Sequence, residues 1–421
     1  MPSSLTFDTA RLPLVEVFAA VPDPRARRGV RHGLPVVLTV AAAAVLAGAK
    51  SLMAVGEWVA EADREALSQL GIAPEVVLPS ESTVRRTLAG LDANDLDARL
   101  GAWMAARVGE VAGRRVIAVD GKSMRGASVA GIRPHLLSAL DHDRGVVLGQ
   151  RAVDGKGSEI PAIKDLLEPM DLTGVVVTAD ALHCQRDTAT WLVGRGGDYV
   201  LTVKGNQPTL RNTLKALPWT KVPGHTYRDN RHGRRVTRTV KAVAVPAWVD
   251  WPGAAQVLQI RRTRIVNGRK QIEVVYAVTS VPMEQAQPRT MAAWIQGHWA
   301  IENALHWVRD VTYDEDRHQL RVGNGPHVMA TLRNTGISLL RLAGWTSITA
   351  GLRHHARDSR RPIARLAALR TDFAEALFSW AMVWAAYFAG ACHTRGESRR
   401  LGPASTPAMA ADRSDTIPGM A

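Results

Sequence analysis

The sequence predicts an α/β fold: a mixed sheet flanked by helices, interrupted by a β-rich stretch and preceded by an all-helical N-terminal domain. Three observations predict it. Residues 1–110 carry apolar side chains at helical spacing. From Arg115 onward, short β-branched runs alternate with turn signals, and the later runs are joined through helical segments rather than tight turns. Composition supplies a core, since 46% hydrophobic and 22% charged residues exclude a disordered basic tail.

The elements follow in order. After the loop PDPRARRGVRHG (22–33), an Ala-rich helix runs to about Ala49 and a second covers roughly 55–70. Pro79-Ser80-Glu81-Ser82 offers N-cap residues to a helix with Val84, Leu88 and Leu91 on one face, and Asn94 opens another with Leu96, Leu100 and Trp103. Three runs at 115–119, 135–141 and 146–153 form an antiparallel meander. A helix at 159–167, a strand at 174–178, a helix at about 184–194 and a strand at 198–203 complete a βββαβαβ order whose last strands are expected to be parallel. Strands at 236–245, 257–264 and 271–279 follow, the last two joined by an Asn267-Gly268 hairpin turn. Helices resume near Arg289, and the tail from Arg395 has a composition poor in core-forming residues. The expected domains are therefore a helical, DNA-end-binding unit (1–110), a first catalytic half (111–206), a β-rich insertion (207–287), a second catalytic half (288–345), and C-terminal helices with a tail (346–421).

Charge points to the partner. A formal net charge of +14 and a pI near 10.4 suit a polyanion. Two cysteines, Cys184 and Cys392, are too few for a disulfide framework and fit a reducing compartment. The start lacks a basic region followed by an apolar one, so no targeting segment is expected. The longest apolar run, 34–49, makes only about 24 Å of helix, which predicts a buried helix and no membrane contact.

Carboxylates mark the chemistry. Asp120 ends the first strand in VIAVDGKSMRGA, and Asp180 follows the fourth in GVVVTADALHCQ. Parallel neighbours would bring both into one crevice, roughly 5 Å apart at the strand ends, where two carboxylates call for a hard cation such as Mg²⁺ or Mn²⁺. Asp after a strand is also an ordinary turn or N-cap residue, and both readings stand on spacing alone. A third candidate is Glu302, in a helix with Ile301, Leu305 and Val308 on one stripe and His298, Glu302, His306 and Arg309 on another. That face admits a solvated reading with a His/Glu pair, and a zinc reading without the HExxH order. Asp310, Asp314, Glu315 and Asp316 compete with Glu302 for the metal role.

With these residues assembled, the chain resembles the H-repeat-associated (ISAs-type) group of insertion-sequence transposases, DDE recombinases with an RNase H-like catalytic core. The resemblance is carried by VPDPRARRGVRHGL, PSESTVRRTL, VDGKSMRGA, TADALHCQ, VKGNQP and HWAIENALHWVRDVTYDEDRHQLR. It implies that Asp120, Asp180 and Glu302 are the catalytic and metal-binding triad. It also implies two Mg²⁺ or Mn²⁺ ions, with Asp120 bridging them. The wider group spaces Tyr, Arg, Glu and Lys at fixed intervals. Registered on Glu302, those places hold Ile295, His298, the Glu itself and Arg309.

Several residues are candidate DNA contacts. Lys122, Arg125 and Lys204 lie on loops at the triad edge and suit phosphate, although ordinary surface cations look the same in sequence. Asn206 and Gln207 could bond DNA or cap their own loop. Arg85 and Arg86 sit opposite the apolar stripe of their helix, either as recognition residues or as solvated arginines on a packing helix. His298, Arg309, the block HGRRVTR (232–238), the loop 25–31 and the hairpin 261–269 complete the set. Cys184 is expected to be a buried helix residue rather than a nucleophile.

The expected activity is metal-dependent cleavage and strand transfer of double-stranded DNA, acting on terminal inverted repeats and target DNA, with self-association on the ends, in the cytoplasm at the nucleoid. Two alternatives are a catalytically inactive, transposase-derived DNA-binding protein and an RNase H-like nuclease that cleaves without joining. Residues 380–421 carry no motif that assigns them a role.

Overall fold

The computed structural model describes residues 12–28, 30–109, 113–229, 235–266 and 269–368. The Asn267-Gly268 turn, residues 232–234 of the HGRRVTR block, Cys392 and the tail expected from Arg395 lie outside them.

Helices Leu34–Leu46, Leu52–Glu61, Glu81–Gly90 and Ala93–Val108 build the N-terminal part. The Ala-rich run is buried on nearly every side, because small side chains let the neighbouring helices approach closely. No helix among the described residues is long and apolar enough to cross a membrane. The helix expected over 55–70 is broken at Ala62. Asp63 caps a new turn, Arg64–Leu67, by accepting from the Ala66 N–H, and that turn tightens into a 3₁₀ segment Ser68–Leu70. The helix expected to open at Asn94 starts one residue earlier, because the Asp92 carboxylate accepts from the N–H groups of both Asn94 and Asp95.

Among the described residues, nine strands form one sheet: β1 (Val116–Ser123), β2 (His135–Asp141), β3 (Val147–Val153), β4 (Val176–Ala179), β5 (Asp198–Val203), β6 (Gly224–Asp229), β7 (Arg235–Ala244), β8 (Gln256–Val266) and β9 (Arg269–Thr279). Their order is β3-β2-β1-β4-β5-β9-β8-β7-β6. The first three are antiparallel, while β1, β4 and β5 are parallel through the helices Glu159–Leu167 and Arg186–Gly194. This half is the RNase H-like arrangement that the resemblance implies. The β-rich stretch continues the same sheet, with β9 pairing antiparallel to β5 and β6 to β9 extending the far edge. Two elements in this stretch were not expected from the sequence, strand β6 and the helix Pro208–Ala216, although Pro208 at the helix start and Leu210 and Leu214 on one face were a legible signal for the helix.

The long helix Gly325–Leu342 packs against the helices Leu34–Leu46, Glu81–Gly90 and Ala93–Val108 and against β3. One continuous apolar cluster therefore runs from Phe18 and Val45 through Val119 and Leu140 to Leu339. Buried polar groups cross this junction in pairs. Asp97 accepts from His327 (2.5 Å) and Thr331 (2.7 Å), and Gln150 Oε1 accepts from Arg309 and Asn334.

Candidate active site

The site begins with strand register. β1 and β4 pair from Val116 opposite Val176 to Val119 opposite Ala179, and there β4 ends. Asp120 therefore stands at the first position where β1 has lost its parallel neighbour, still paired on its other side with Ser138 of β2. Asp180 leaves β4 at the same level and turns its carboxylate onto the Leu182 N–H (2.8 Å), capping a short 3₁₀ turn, Ala181–His183. The N-cap reading of Asp180 thus holds, and the same side chain stands level with Asp120.

Glu302 arrives from across the crevice. The helix Pro288–His298 runs on into π-helical stretches, Ile301–His306 and Val308–Thr312. Ile301, Leu305 and Val308 form the buried stripe, as their spacing predicts, and Glu302 stays exposed. Asp120, Asp180 and Glu302 line one cleft of about 220 Å³, with Thr178, Lys204 and His298. None of Asp310, Asp314, Glu315 and Asp316 lines it.

Electrostatics single out Asp120. Burial, together with the charges of Asp180, Glu302 and Glu159, raises its carboxyl from the ordinary range to about 7, against a lowering bond from the Gly121 N–H. Behind it, Glu159 sits between His135 (2.7 Å) and His183 (3.4 Å), and those contacts overcome burial to hold Glu159 at about 2. Gly121 is obligatory here, because a Cβ would collide with the His135 ring and the Glu159 carboxylate.

The donors suit a hard divalent cation in kind: three carboxylates share the cleft, and Cys184 is buried with its thiol pushed up to about 12. Burial, and to a lesser extent the neighbouring carboxylates, disfavours a negative charge on Asp120. Among the described residues, however, no three His, Cys, Asp or Glu side chains converge closely enough to hold an ion as they stand. The trio His298, Glu302 and His306 does not form a zinc site. His298 Nδ1 meets Thr178 Oγ1 at 3.1 Å, whereas His306 Nδ1 lies 3.5 Å from Asp120 Oδ2. Burial lowers both imidazoles, to about 4 and about 3, so both are neutral.

The cations named from sequence separate. Lys204 lines the cleft. Lys122 is buried and paired with Asp310, while Arg125 is exposed at 3.8 Å from Asp316. Arg309 faces the core: fully buried, it binds Glu315, which also binds Arg333 at 2.8 Å. A phosphate contact from Arg309 is corrected on that ground, and so is the competing metal role of Glu315. His298, bonded to Thr178, lines the cleft, where burial favours its neutral form. Asn206 and Gln207 latch the β5 loop onto the Asp180 loop, the first through the Ala181 carbonyl and the second through that of Cys184 (2.9 Å). Arg85 and Arg86 are exposed on the helix Glu81–Gly90, where Arg86 lines a concavity with Arg25, Arg28, Arg31 and His32.

Sequence reasoning missed Thr178, whose hydroxyl meets both His142 (3.0 Å) and His298. It also missed Glu159, and it had Arg238 and Arg262 only as members of the HGRRVTR block and the 261–269 hairpin, without placing them together on the carboxylate cleft. Thr178 lies two residues before Asp180, close enough to have been a candidate; Glu159 carries no local signal.

The sequence matches the family described as Transposase DDE domain over residues 111–339 and the family described as DDE_Tnp_1-associated over residues 15–104. It is similar to "Putative transposase YncI" of Escherichia coli O157:H7, 30% identical over 349 residues that cover 78% of this chain and 87% of that one. It is similar also to "H repeat-associated putative transposase YhhI" of Escherichia coli strain K12, 29% identical over 345 residues covering 78% and 90%. Among solved structures, the cryo-EM structure of the piggyBac transposase synaptic complex with hairpin DNA aligns with a TM-score of 0.40 and 10% identity, over 89% of this chain and 81% of that chain.

Proposed function

The chain belongs to the H-repeat-associated DDE transposase family, and from that premise we propose that it cuts and joins DNA as the transposase of an insertion sequence, with Asp120, Asp180 and Glu302 as its catalytic carboxylates. The observation that carries this reading is the shared cleft: carboxylates separated by long stretches of chain line one opening, and burial there, with smaller contributions from the other carboxylates, moves Asp120 towards its protonated form.

Asp120, Asp180 and Glu302 would hold two Mg²⁺ or Mn²⁺ ions, whose chemistry is to acidify the attacking oxygen and to stabilise the leaving 3′-oxygen. The chain's own residues do the rest. The β1/β4 register fixes the two aspartates, and the Asp180–Leu182 bond sets the angle of the second carboxylate. Lys204 supplies positive charge at the wall for a phosphodiester. Thr178 holds the His298 ring in place, which keeps that wall from moving. No covalent intermediate on the protein is needed, in keeping with a Cys184 thiol that stays protonated.

The basic N-terminal concavity would grip the ends of the element, and joining two ends implies self-association on DNA. Incubation of the protein with a duplex carrying the element's terminal inverted repeat should release a free 3′-hydroxyl end in Mg²⁺ and transfer it to a second duplex, and EDTA should prevent both. Cleavage without transfer would instead identify a nuclease, and binding without cleavage a DNA-binding protein only.

A further inference from the structure

Four residues stand in line across the sheet extension: Tyr227 on β6 opposite Arg238 on β7, Arg238 opposite Arg262 on β8, and Arg262 opposite Glu273 on β9. All four line the cleft that holds the carboxylates. The next row on the same face, Val240, Ile260 and Val275, is apolar and lines it too.

The charges in this row do not balance. Directly opposed cross-strand side chains have Cβ atoms about 5 Å apart, and like charges so placed repel. Glu273 compensates one guanidinium, binding Arg262 at 2.5 Å. Arg238 has the Tyr227 ring at 5.9 Å, and its buried Nη1 has no hydrogen-bond partner. A buried N–H of a charged group is costly to leave unbonded, and an apolar floor strengthens its attraction for an anion. A guanidinium fork matches two phosphate oxygens, and the opening it faces leads to Asp120, Asp180 and Glu302.

We propose that Arg238, braced by Tyr227 and placed beside the Arg262–Glu273 pair, binds a phosphodiester of the DNA strand that enters the carboxylate cleft. The β6–β9 extension is then the substrate-holding wall of the site, opposite the wall that carries Glu302. The inference rests on the transposase reading for the identity of the anion.

Arg238→Gln, which keeps much of the side chain's length, and Arg238→Lys, which keeps its charge, are compared with wild type for binding of a fluorescent duplex in EDTA across a salt series. Melting temperature serves as the folding control. Arg238→Gln should weaken binding roughly ten- to a hundredfold and lower the slope of log affinity against log salt by about one. Arg238→Lys should restore the slope and only part of the affinity, because it lacks the fork. Unchanged affinity and slope in a folded Arg238→Gln protein would overturn the proposal. So would a loss of binding that Arg238→Lys leaves wholly unrepaired in slope. The readout needs no catalysis: wild type that binds but does not cut in Mg²⁺ fails the transposase reading alone, while a cutting enzyme indifferent to Arg238 fails only this one.

Discussion

Asp120 and Asp180 occupy equivalent places on two parallel neighbours, each one residue beyond the last paired rung, Val119 opposite Ala179. The backbone ladder and the buried valines beneath it hold Asp120 beside Asp180 in a place where burial, and to a lesser extent the neighbouring carboxylates, opposes its charge. The native state is therefore strained in charge at the place where chemistry is proposed.

Asp120→Asn should stabilise the protein in the absence of divalent ions. A carboxyl raised to about 7 in the fold, against an ordinary value of 3.8, contributes fully below about pH 4 and loses its contribution as pH rises through 7. Each unit is about 1.4 kcal/mol, and relaxation of the site leaves a gain on the order of 1–3 kcal/mol at neutral pH. Urea unfolding at pH 5 and pH 8 in EDTA checks this. A wild type and a variant with parallel pH profiles would contradict it.

How far the sequence foretold this site depends on the distance over which its signals act. The β1 and β4 runs and the aspartates behind them are local, so parallel pairing was enough to bring Asp120 and Asp180 together. Glu302 needed the family resemblance, because an α-helical wheel misplaces its neighbours. The chain there turns through π-helical stretches, and Arg309, expected beside Glu302 on a polar face, points into the core. Arg238 and Arg262 were invisible as a pair, since only the pairing of β7 with β8 sets them opposite one another. Glu159 became part of the site through Gly121, whose missing side chain is the space that His135 and Glu159 fill.

Glu315→Gln should be strongly destabilising. Its carboxylate lies wholly buried between Arg309 and Arg333, and those two charges hold it at about 2 despite the burial. Removing one partner of a buried ionic cluster costs about 3–5 kcal/mol. The stabilisation is present above the ordinary carboxyl value of 4.5 and is lost as pH falls towards 2, so the gap between wild type and variant should narrow in acid. Denaturant titrations at pH 7 and pH 3 measure it, and an equal gap at both would refute the role.

Thr178→Val keeps the shape of the side chain and removes its hydroxyl. His142 and His298 then lose a shared, largely buried partner, at a cost of about 1–3 kcal/mol. The same variant should cleave more slowly, because the His298 ring is freed beside Asp180. Normal stability together with normal cleavage would show that the Thr178 bridge positions nothing.

The N-terminal concavity should act through charge alone. Arg25 is committed to structure, bonding Asp23 and the His32 carbonyl (2.9 Å), whereas Arg28, Arg31 and Arg86 line the same hollow. Replacing these three with Ala should lower the salt slope of duplex binding by about two to three and leave the melting temperature in place. Arg25→Ala should instead lower the melting temperature. An unchanged salt slope in the triple variant would remove this surface from the DNA path.

Three carboxylates in one cleft are proposed to carry the reaction. The most direct measurement is Mg²⁺-dependent cleavage of end-sequence duplex by Asp120→Asn, Asp180→Asn and Glu302→Gln, each beside its binding of the same DNA in EDTA. Every variant should lose cleavage while retaining binding close to wild type. A variant that cuts at the wild-type rate would contradict the assignment of that residue, and with it the triad.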